Sequence, residues 1–163
     1  MLFRSLESAC FNPLYIRKTA KYHGLSTDAS YRFERGTDPN ITVFALKRAA
    51  MLIKELAGGS ISSEIVDVYP NPVKGYPVKL LYKNLDRLIG KVLDRDVIKK
   101  ILALLDIEIV DQDDEGLMLE VATYRVDVLR EADVIEEILR IYGYNNVEFS
   151  EKIKSNIAYT EKP

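Results

Sequence analysis

The chain has 163 residues, of which 47% are hydrophobic and 29% are charged, and its formal net charge is −2. A chain of this length and composition can bury one ordinary core or two small ones, which excludes an intrinsically disordered protein. It has no apolar run near the roughly 20 residues that a membrane helix needs and no signal-peptide core at its start, so we expect a cytoplasmic protein without a membrane segment.

The first block, residues 1–69, begins with two predicted helices and is the basic part of the chain. Asn12-Pro13 opens a helix that Gly24 ends, and a shorter helix is predicted over Ala29–Arg35. Up to residue 59 there are nine Lys and Arg against five Asp and Glu, a net charge of +4. A solvated face is the ordinary explanation of such a surplus, and a surface facing an RNA backbone is the alternative.

The rest of this block predicts a long helix and a strand. Asp38-Pro39 is typical of the N-cap and first residue of a helix, and Gly58-Gly59 closes it. Because apolar residues cover most of the circumference of this helix, we expect it to be largely buried. The alternation over Ile61–Tyr69 predicts a strand.

A connector rich in Pro and Gly, residues 70–77, follows the first block and predicts a domain boundary, because it can continue neither a central strand nor a helix. The second block, residues 78–148, is net acidic. The polar residues 149–163 show no clear periodicity and are predicted to form a linker toward another domain.

The second block predicts a strand, two helices, a hairpin and a last helix. These elements are Val78–Tyr82, Asn84–Ile89, a helix capped by Asp94, the strands Ile107–Val110 and Leu117–Val121 around the turn Asp111–Gly116, and Asp133–Tyr142. Helices followed by a hairpin wing are similar to winged-helix modules that bind nucleic acids, so we expect an α+β fold with a winged-helix-like second part. The hairpin turn is acidic, which argues against a phosphate contact there.

The last predicted helix bears the most specific cluster of chemical groups. Asp133, Glu136 and Glu137 stand at positions i, i+3 and i+4, so their carboxylates share one helix face, and Asp127 lies just before the helix. Converging oxygen ligands of this kind are what Mg²⁺ or Ca²⁺ prefers. The spacing alone favours a simpler explanation, an acidic first turn stabilised by the helix dipole and partly neutralised by Arg125 and Arg130.

Cysteine and histidine offer little further chemistry. The single cysteine, Cys10, excludes an internal disulfide framework, and we expect it to be a buried structural thiol. The single histidine, His23, has no second His or Cys for a zinc site and is expected at the basic end of a helix.

Several ordered motifs over residues 3–147 resemble the β subunit of bacterial phenylalanyl-tRNA synthetase. They are Glu7-Ser-Ala9, Asn12-Pro13, Ile16-Arg17, His23-Gly-Leu25, Thr27–Ser30, Arg32–Gly36, Asp38-Pro39, Ala45–Ala50, Ala57–Gly59, Leu88–Gly90, Tyr124-Arg125, Asp127, Asp133, Glu136-Glu137 and Arg140–Asn146. The resemblance implies an internal piece of that subunit. Its parent enzyme ligates phenylalanine to its tRNA with ATP, as an α₂β₂ assembly with a separate α subunit.

For the first block the resemblance implies the C-terminal part of a tRNA-editing domain, which hydrolyses tyrosine misattached to the phenylalanine tRNA. Glu7 falls on the family's editing-pocket glutamate, and Thr27 and Ala29 fall on pocket-lining positions. The remaining pocket residues lie upstream in the family, so no complete catalytic site is expected in this chain. Apolar or strand-edge surface near Leu2–Phe11 then predicts self-association.

For the second block the resemblance implies a DNA-binding-like module in which Asp127, Asp133, Glu136 and Glu137 bind Mg²⁺. The expected role of the chain is scaffolding, contact with the phenylalanine tRNA and magnesium binding within the synthetase. Two alternatives to this interpretation remain. One is a separate nucleic-acid-binding module without catalysis, and the other is a purely structural interaction domain.

Overall fold

The computed structural model describes residues 5–148, which form an α+β structure, as predicted. In chain order the elements are α1 Pro13–His23, α2 Asp28–Phe33, a 3-10 turn Pro39–Ile41, α3 Thr42–Ala57, β1 Tyr76–Leu81, α4 Tyr82–Ile89, α5 Arg95–Leu104, β2 Ile107–Gln112, β3 Gly116–Val121, α6 Glu131–Tyr142 and a second 3-10 turn Tyr144–Asn146. No helix within residues 5–148 has the length and apolarity needed to cross a membrane. The predicted linker, residues 149–163, lies outside the described residues.

The three strands form one antiparallel sheet in the order β1-β3-β2. The β2–β3 hairpin is the predicted one, with a shorter turn, and its ladder shifts register between Ile109 and Asp111. Gly116 begins β3 opposite Leu81, and a Cβ at this position would lie 2.1 Å from the carbonyl oxygen of Leu80. A side chain therefore cannot be accommodated there without separating β1 from β3.

The hydrophobic core lies entirely in the second block. Every buried hydrophobic side chain of the described residues falls between Val78 and Ile138, and α4, α5 and α6 each contribute to this core. Burying one such aliphatic side chain stabilises the fold by about 1.5–3 kcal/mol. The sheet and these three helices therefore make a unit with a complete core of its own.

The predicted caps of this unit are confirmed. Asp94 caps α5 by accepting hydrogen bonds from the backbone N–H groups of Asp96 and Val97 at 2.8 and 3.3 Å. Gly90 ends α4 in the left-handed conformation, at a φ of 80°. Local signals were therefore sufficient to predict these helix ends.

In the first block, α1 and α2 are paired and α3 is not. Phe11 and Phe33 meet edge to face with ring centroids 5.0 Å apart. Within residues 5–148, α3 packs against no helix or strand other than the 3-10 turn before it. The expectation that α3 is largely buried is wrong: Phe44 is 67% exposed and Leu56 is 82% exposed. An apolar helix face is fully buried only where a partner packs against it, and no described helix or strand does so here.

The predicted strand Ile61–Tyr69 is also wrong, since no part of it is in a strand. Its apolar residues Val66 and Val68 are exposed. Alternation alone does not make a strand, because the backbone N–H and C=O groups must also pair with a neighbouring strand. The described chain provides no such neighbour.

The start of the first block brings two further differences. Asn12 caps α1 and Gly24 ends it, as predicted, but Asp38-Pro39 opens the 3-10 turn rather than α3 itself. Cys10 is exposed rather than buried, and its thiol is directed toward the carbonyl oxygen of Thr37 at 3.4 Å. The reason is that no core forms around this segment in the described residues.

Candidate functional site

The candidate site is the polar side of α6 and the loop before it. Val134 and Ile138 are buried in the core on one side of this helix, so the carboxylates on the other side face outward. The structure thus confirms that the three helical carboxylates stand outside the core. The three helical carboxylates belong to Asp133, Glu136 and Glu137, and the loop before the helix contributes Asp127.

The side chain of Asp133 binds the backbone at the start of α6. One carboxylate oxygen accepts hydrogen bonds from the backbone N–H groups of Leu129 and Arg130 at 3.2 and 2.9 Å. The guanidinium of Arg130 also donates to both carboxylate oxygens. This hydrogen bond from Arg130 lowers the pKa of Asp133, so the carboxylate is held in its charged form.

Glu137 lies between two arginines. It accepts a hydrogen bond from Arg125 at 3.1 Å, and Arg140 donates to both of its carboxylate oxygens. The hydrogen bond from Arg140 is the main cause that lowers the pKa of Glu137. The pKa of Arg140 is raised in turn, first by Glu137 and more weakly by Tyr144 and Asp127. The guanidinium groups of Arg125 and Arg140 therefore neutralise the carboxylate of Glu137.

These four residues do not fit a magnesium ion in this arrangement. Within residues 5–148, no group of three or more His, Cys, Asp or Glu side chains is placed to hold a metal. Asp133 and Glu137 already bind arginines, and Asp127 and Glu136 are exposed. The geometry matches the simpler explanation of the sequence, an acidic helix turn stabilised by arginines.

The predicted editing-pocket residues lie on the surface of the first block. Glu7, Thr27 and Ala29 are all exposed. Thr27 is the N-cap of α2: its hydroxyl oxygen accepts from the backbone N–H of Ser30 at 3.1 Å, while its own N–H donates to the Ser30 hydroxyl at 2.9 Å. The described residues therefore assign Thr27 a structural contact and do not enclose the three candidates.

Sequence reasoning missed a polar cluster between the two blocks, which we call the polar junction: Asp38, Asn40, Tyr69 and Thr123. The Thr123 hydroxyl donates to Asp38 at 2.6 Å and accepts from the Asn40 amide at 3.0 Å. The Tyr69 hydroxyl donates to the side-chain oxygen of Asn40 at 3.1 Å. This junction ties the first block to the end of the sheet.

A signal for the junction was present in the sequence. Leu119, Val121 and Thr123 alternate along β3 and beyond it, which places Thr123 on the inward side. It is the only buried polar residue among residues 5–148, and a buried hydroxyl requires a hydrogen-bond partner. A second contact lies nearby, where a Cβ on Gly36 would be 3.0 Å from Val126.

Comparisons with known proteins match both blocks. Residues 78–144 match the family described as the tRNA synthetase B5 domain, and residues 5–58 match the family described as the B3/4 domain. The chain is 58% identical over 152 residues to the phenylalanine–tRNA ligase β subunit of Bacteroides fragilis. The aligned residues cover 93% of this chain and 18% of that protein.

Similar relatives occur in other bacteria. The β subunit of the same ligase from Porphyromonas gingivalis is 47% identical over 94% of this chain and 19% of that protein. The β subunit from Geobacter metallireducens is 44% identical over 87% of this chain and 18% of that protein. The chain therefore spans about a fifth of the length of the curated relatives that it matches.

Proposed function

The chain belongs to the family of phenylalanine–tRNA ligase β subunits, and from this we propose that it supplies the B3/4 and B5 parts of such a subunit. In this proposal the complete cytoplasmic enzyme, an α₂β₂ assembly, joins phenylalanine to its tRNA with ATP. One observation carries the proposal. Both domain families follow one another in a chain that is 58% identical to a ligase subunit along 93% of its length.

The proposed role of the second block is that of a scaffold. Its complete core gives the sheet and α4, α5 and α6 a fixed shape, and the polar junction attaches the first block to that shape. We also propose a winged-helix-like architecture, which the order strand, helix, helix, hairpin supports. The hairpin turn carries Asp113, Asp114 and Glu115, so a phosphate backbone would be repelled there.

A chimeric enzyme tests the proposed function. Residues 5–148 replace the matching segment of the Bacteroides fragilis β subunit, which is produced together with its α subunit. We expect an assembled enzyme whose kcat/KM for ligating phenylalanine to its tRNA stays within about threefold of the parent. An assembled and folded chimera that does not charge the tRNA would contradict the proposal.

The proposed editing contribution concerns Glu7, Thr27 and Ala29, and it comes from the family resemblance. In the chimera, Glu7→Gln is expected to slow hydrolysis of tyrosine misattached to the tRNA, while ligation of phenylalanine is unchanged. Glu34→Gln, on a glutamate that pairs with Arg35, is the matched control and should leave both activities intact. If the chimera and its Glu7→Gln and Glu34→Gln variants hydrolyse the misattached tyrosine equally fast, Glu7 is not a residue of the editing pocket.

Magnesium binding by Asp127, Asp133, Glu136 and Glu137 is also a proposal from the resemblance, and it requires Arg125, Arg130 and Arg140 to turn away first. The side chains of Arg130 and Arg140 are mostly exposed, so solvent screens and weakens these two ion pairs. We expect Mg²⁺ to raise the melting temperature of the Arg140→Ala variant more than that of the wild type. If Mg²⁺ leaves both melting temperatures unchanged, the ligand assignment is wrong.

The second candidate function is a nucleic-acid-binding or structural module without catalysis. The observation that favours it is the self-sufficient core between Val78 and Ile138, because a unit of this kind can fold without an enzyme around it. An inactive but assembled chimera, together with equal binding of random duplex DNA and the phenylalanine tRNA, would support this candidate.

A further inference from the structure

The three editing-pocket candidates lie on two segments of the first block that contact each other. Glu7 belongs to the segment before α1, and Thr27 and Ala29 stand at the N-terminal end of α2. Phe11, at the end of the first segment, packs edge to face on Phe33, the last residue of α2, with ring centroids 5.0 Å apart. A contact that fixes these two segments therefore also fixes the three candidates.

Both segments lead to one short stretch of chain, residues 36–38. The N–H of Gly36 donates to the carbonyl oxygen of Phe33 at 3.1 Å, so the end of α2 continues directly into this stretch. From the segment that carries Glu7, the thiol of Cys10 donates to the carbonyl oxygen of Thr37 at 3.4 Å. The orientation of the candidates relative to the second block is therefore set at residues 36–38.

The hydroxyl of Thr123 holds this stretch to the second block. In the part of the chain that the structure describes, it makes both of the hydrogen bonds that directly join residues 5–69 to residues 78–148. It donates to Asp38 at 2.6 Å and accepts from Asn40 at 3.0 Å. A single hydroxyl is thus the polar link between the two blocks.

The two sides of this link differ in rigidity. Thr123 is 6% exposed and lies two residues after Val121, which is fully buried in the core at the end of β3. In the first block no hydrophobic residue of the described structure is buried, and none of its helices packs against the second block. The backbone of Gly36 does lie close to the side chain of Val126. The second block is therefore the fixed side, on which the link orients the first block.

We infer that Thr123 is a positioning residue for editing, because its contacts with Asp38 and Asn40 orient the two segments that carry the pocket candidates. The inference goes beyond the proposed function and rests on the editing part of it. In that proposal the remaining pocket residues lie upstream of this chain, so two parts of a pocket must be aligned. A misplacement of about 1 Å in such an alignment can slow a reaction about 100-fold.

The test is single-turnover hydrolysis, by the chimeric enzyme, of tyrosine misattached to the phenylalanine tRNA. Thr123→Val keeps the shape of the side chain and removes the hydroxyl. The hydrolysis rate constant at saturating enzyme should fall about tenfold or more. The enzyme concentration at half saturation and kcat/KM for ligating phenylalanine should stay within about twofold, because neither depends on the alignment of the pocket. Thr123→Ser keeps the hydroxyl and should recover most of the hydrolysis rate.

Tyr124→Phe is the matched control. It also removes one hydroxyl, but the acceptor of that hydroxyl, Asp106 at 3.0 Å, lies within the second block. This variant should hydrolyse the misattached tyrosine as fast as the unsubstituted chimera. Asn40→Ala breaks the link from the other side and should slow hydrolysis as Thr123→Val does. The double variant Thr123→Val/Asn40→Ala should be no slower than the slower single variant, since both substitutions break one link.

The inference is overturned if Thr123→Val, folded by circular dichroism, hydrolyses the misattached tyrosine as fast as the unsubstituted chimera. If Thr123→Val does not fold, the rate of Asn40→Ala decides in the same way. Equal slowing by Tyr124→Phe, a parallel loss of ligation, or multiplied effects in the double variant also overturn it. If Glu7→Gln slows hydrolysis but Thr123→Val does not, this inference alone fails. If neither substitution slows hydrolysis, the proposed editing contribution fails as well.

Discussion

Thr123 illustrates how one buried hydroxyl can connect two parts of a chain. Its hydroxyl donates to Asp38 and accepts from Asn40, and both partners come from the first block. We expect Thr123→Val to lower the free energy of unfolding by about 1–3 kcal/mol, because Asp38 loses a donor in a partly buried place. Urea unfolding measures this loss. Thr123→Ser keeps the hydroxyl and should restore most of the stability; equal stability of the valine variant and the wild type would contradict the assignment.

Glu137 predicts how stability depends on pH. Arg140 lowers the pKa of Glu137 in the folded chain below its ordinary value of 4.5. A carboxyl group with a lowered folded pKa contributes stability above its unfolded pKa, and this contribution is lost as the pH falls through the folded pKa. The free energy of unfolding should therefore decrease below about pH 4.5, and less steeply in Glu137→Gln. Glu136→Gln makes the same change of charge at an exposed neighbour and serves as the matched control.

Residue-scale reasoning from the sequence predicted the shared face of Asp133 and Glu137, because it depends only on helix periodicity. It also named Arg125 and Arg130 as the arginines that neutralise this face, and the structure confirms both contacts, but it did not name Arg140 as the second partner of Glu137. Nor could it place Thr123 against Asp38, since 85 residues separate them. Contacts between distant segments require the fold, and local patterns do not encode them.

At the scale of the element, α3 and α5 are both apolar helices with opposite surroundings. Leu102 of α5 is fully buried, whereas Leu56 of α3 is 82% exposed. We expect Leu102→Ala to lower the free energy of unfolding by about 2–5 kcal/mol, since it leaves a cavity in the core. The same substitution at Leu56 should change it by less than about 0.5 kcal/mol. Similar losses at the two positions would show that α3 is packed within this chain.

The elements that the sequence predicted well have caps or turns of their own. Asn12, Gly24, Asp94 and Gly90 mark helix ends through local hydrogen bonds and backbone conformation, so their positions were predictable. The burial of α3 and the strand over Ile61–Tyr69 were not, because both depend on a neighbouring element. Periodicity shows that a segment has an apolar side, but it does not show that a partner covers that side.

At the scale of the whole molecule, the two blocks differ in how complete they are. The second block has its own core, while the first block has no buried hydrophobic residue in the described structure. The relatives are about five times longer than the chain. We therefore expect the remainder of a β subunit to cover the apolar side of α3, and we expect the B5 part to keep the same fold alone and in the subunit.

Amide hydrogen exchange can compare the chain alone with the same residues inside the assembled chimeric enzyme. We expect β3 and α6 to be protected equally in both samples, whereas α3 exchanges quickly in the chain alone and becomes protected in the enzyme. If the protection of α3 is the same in the two samples, whether high or low, the rest of a β subunit does not cover this helix.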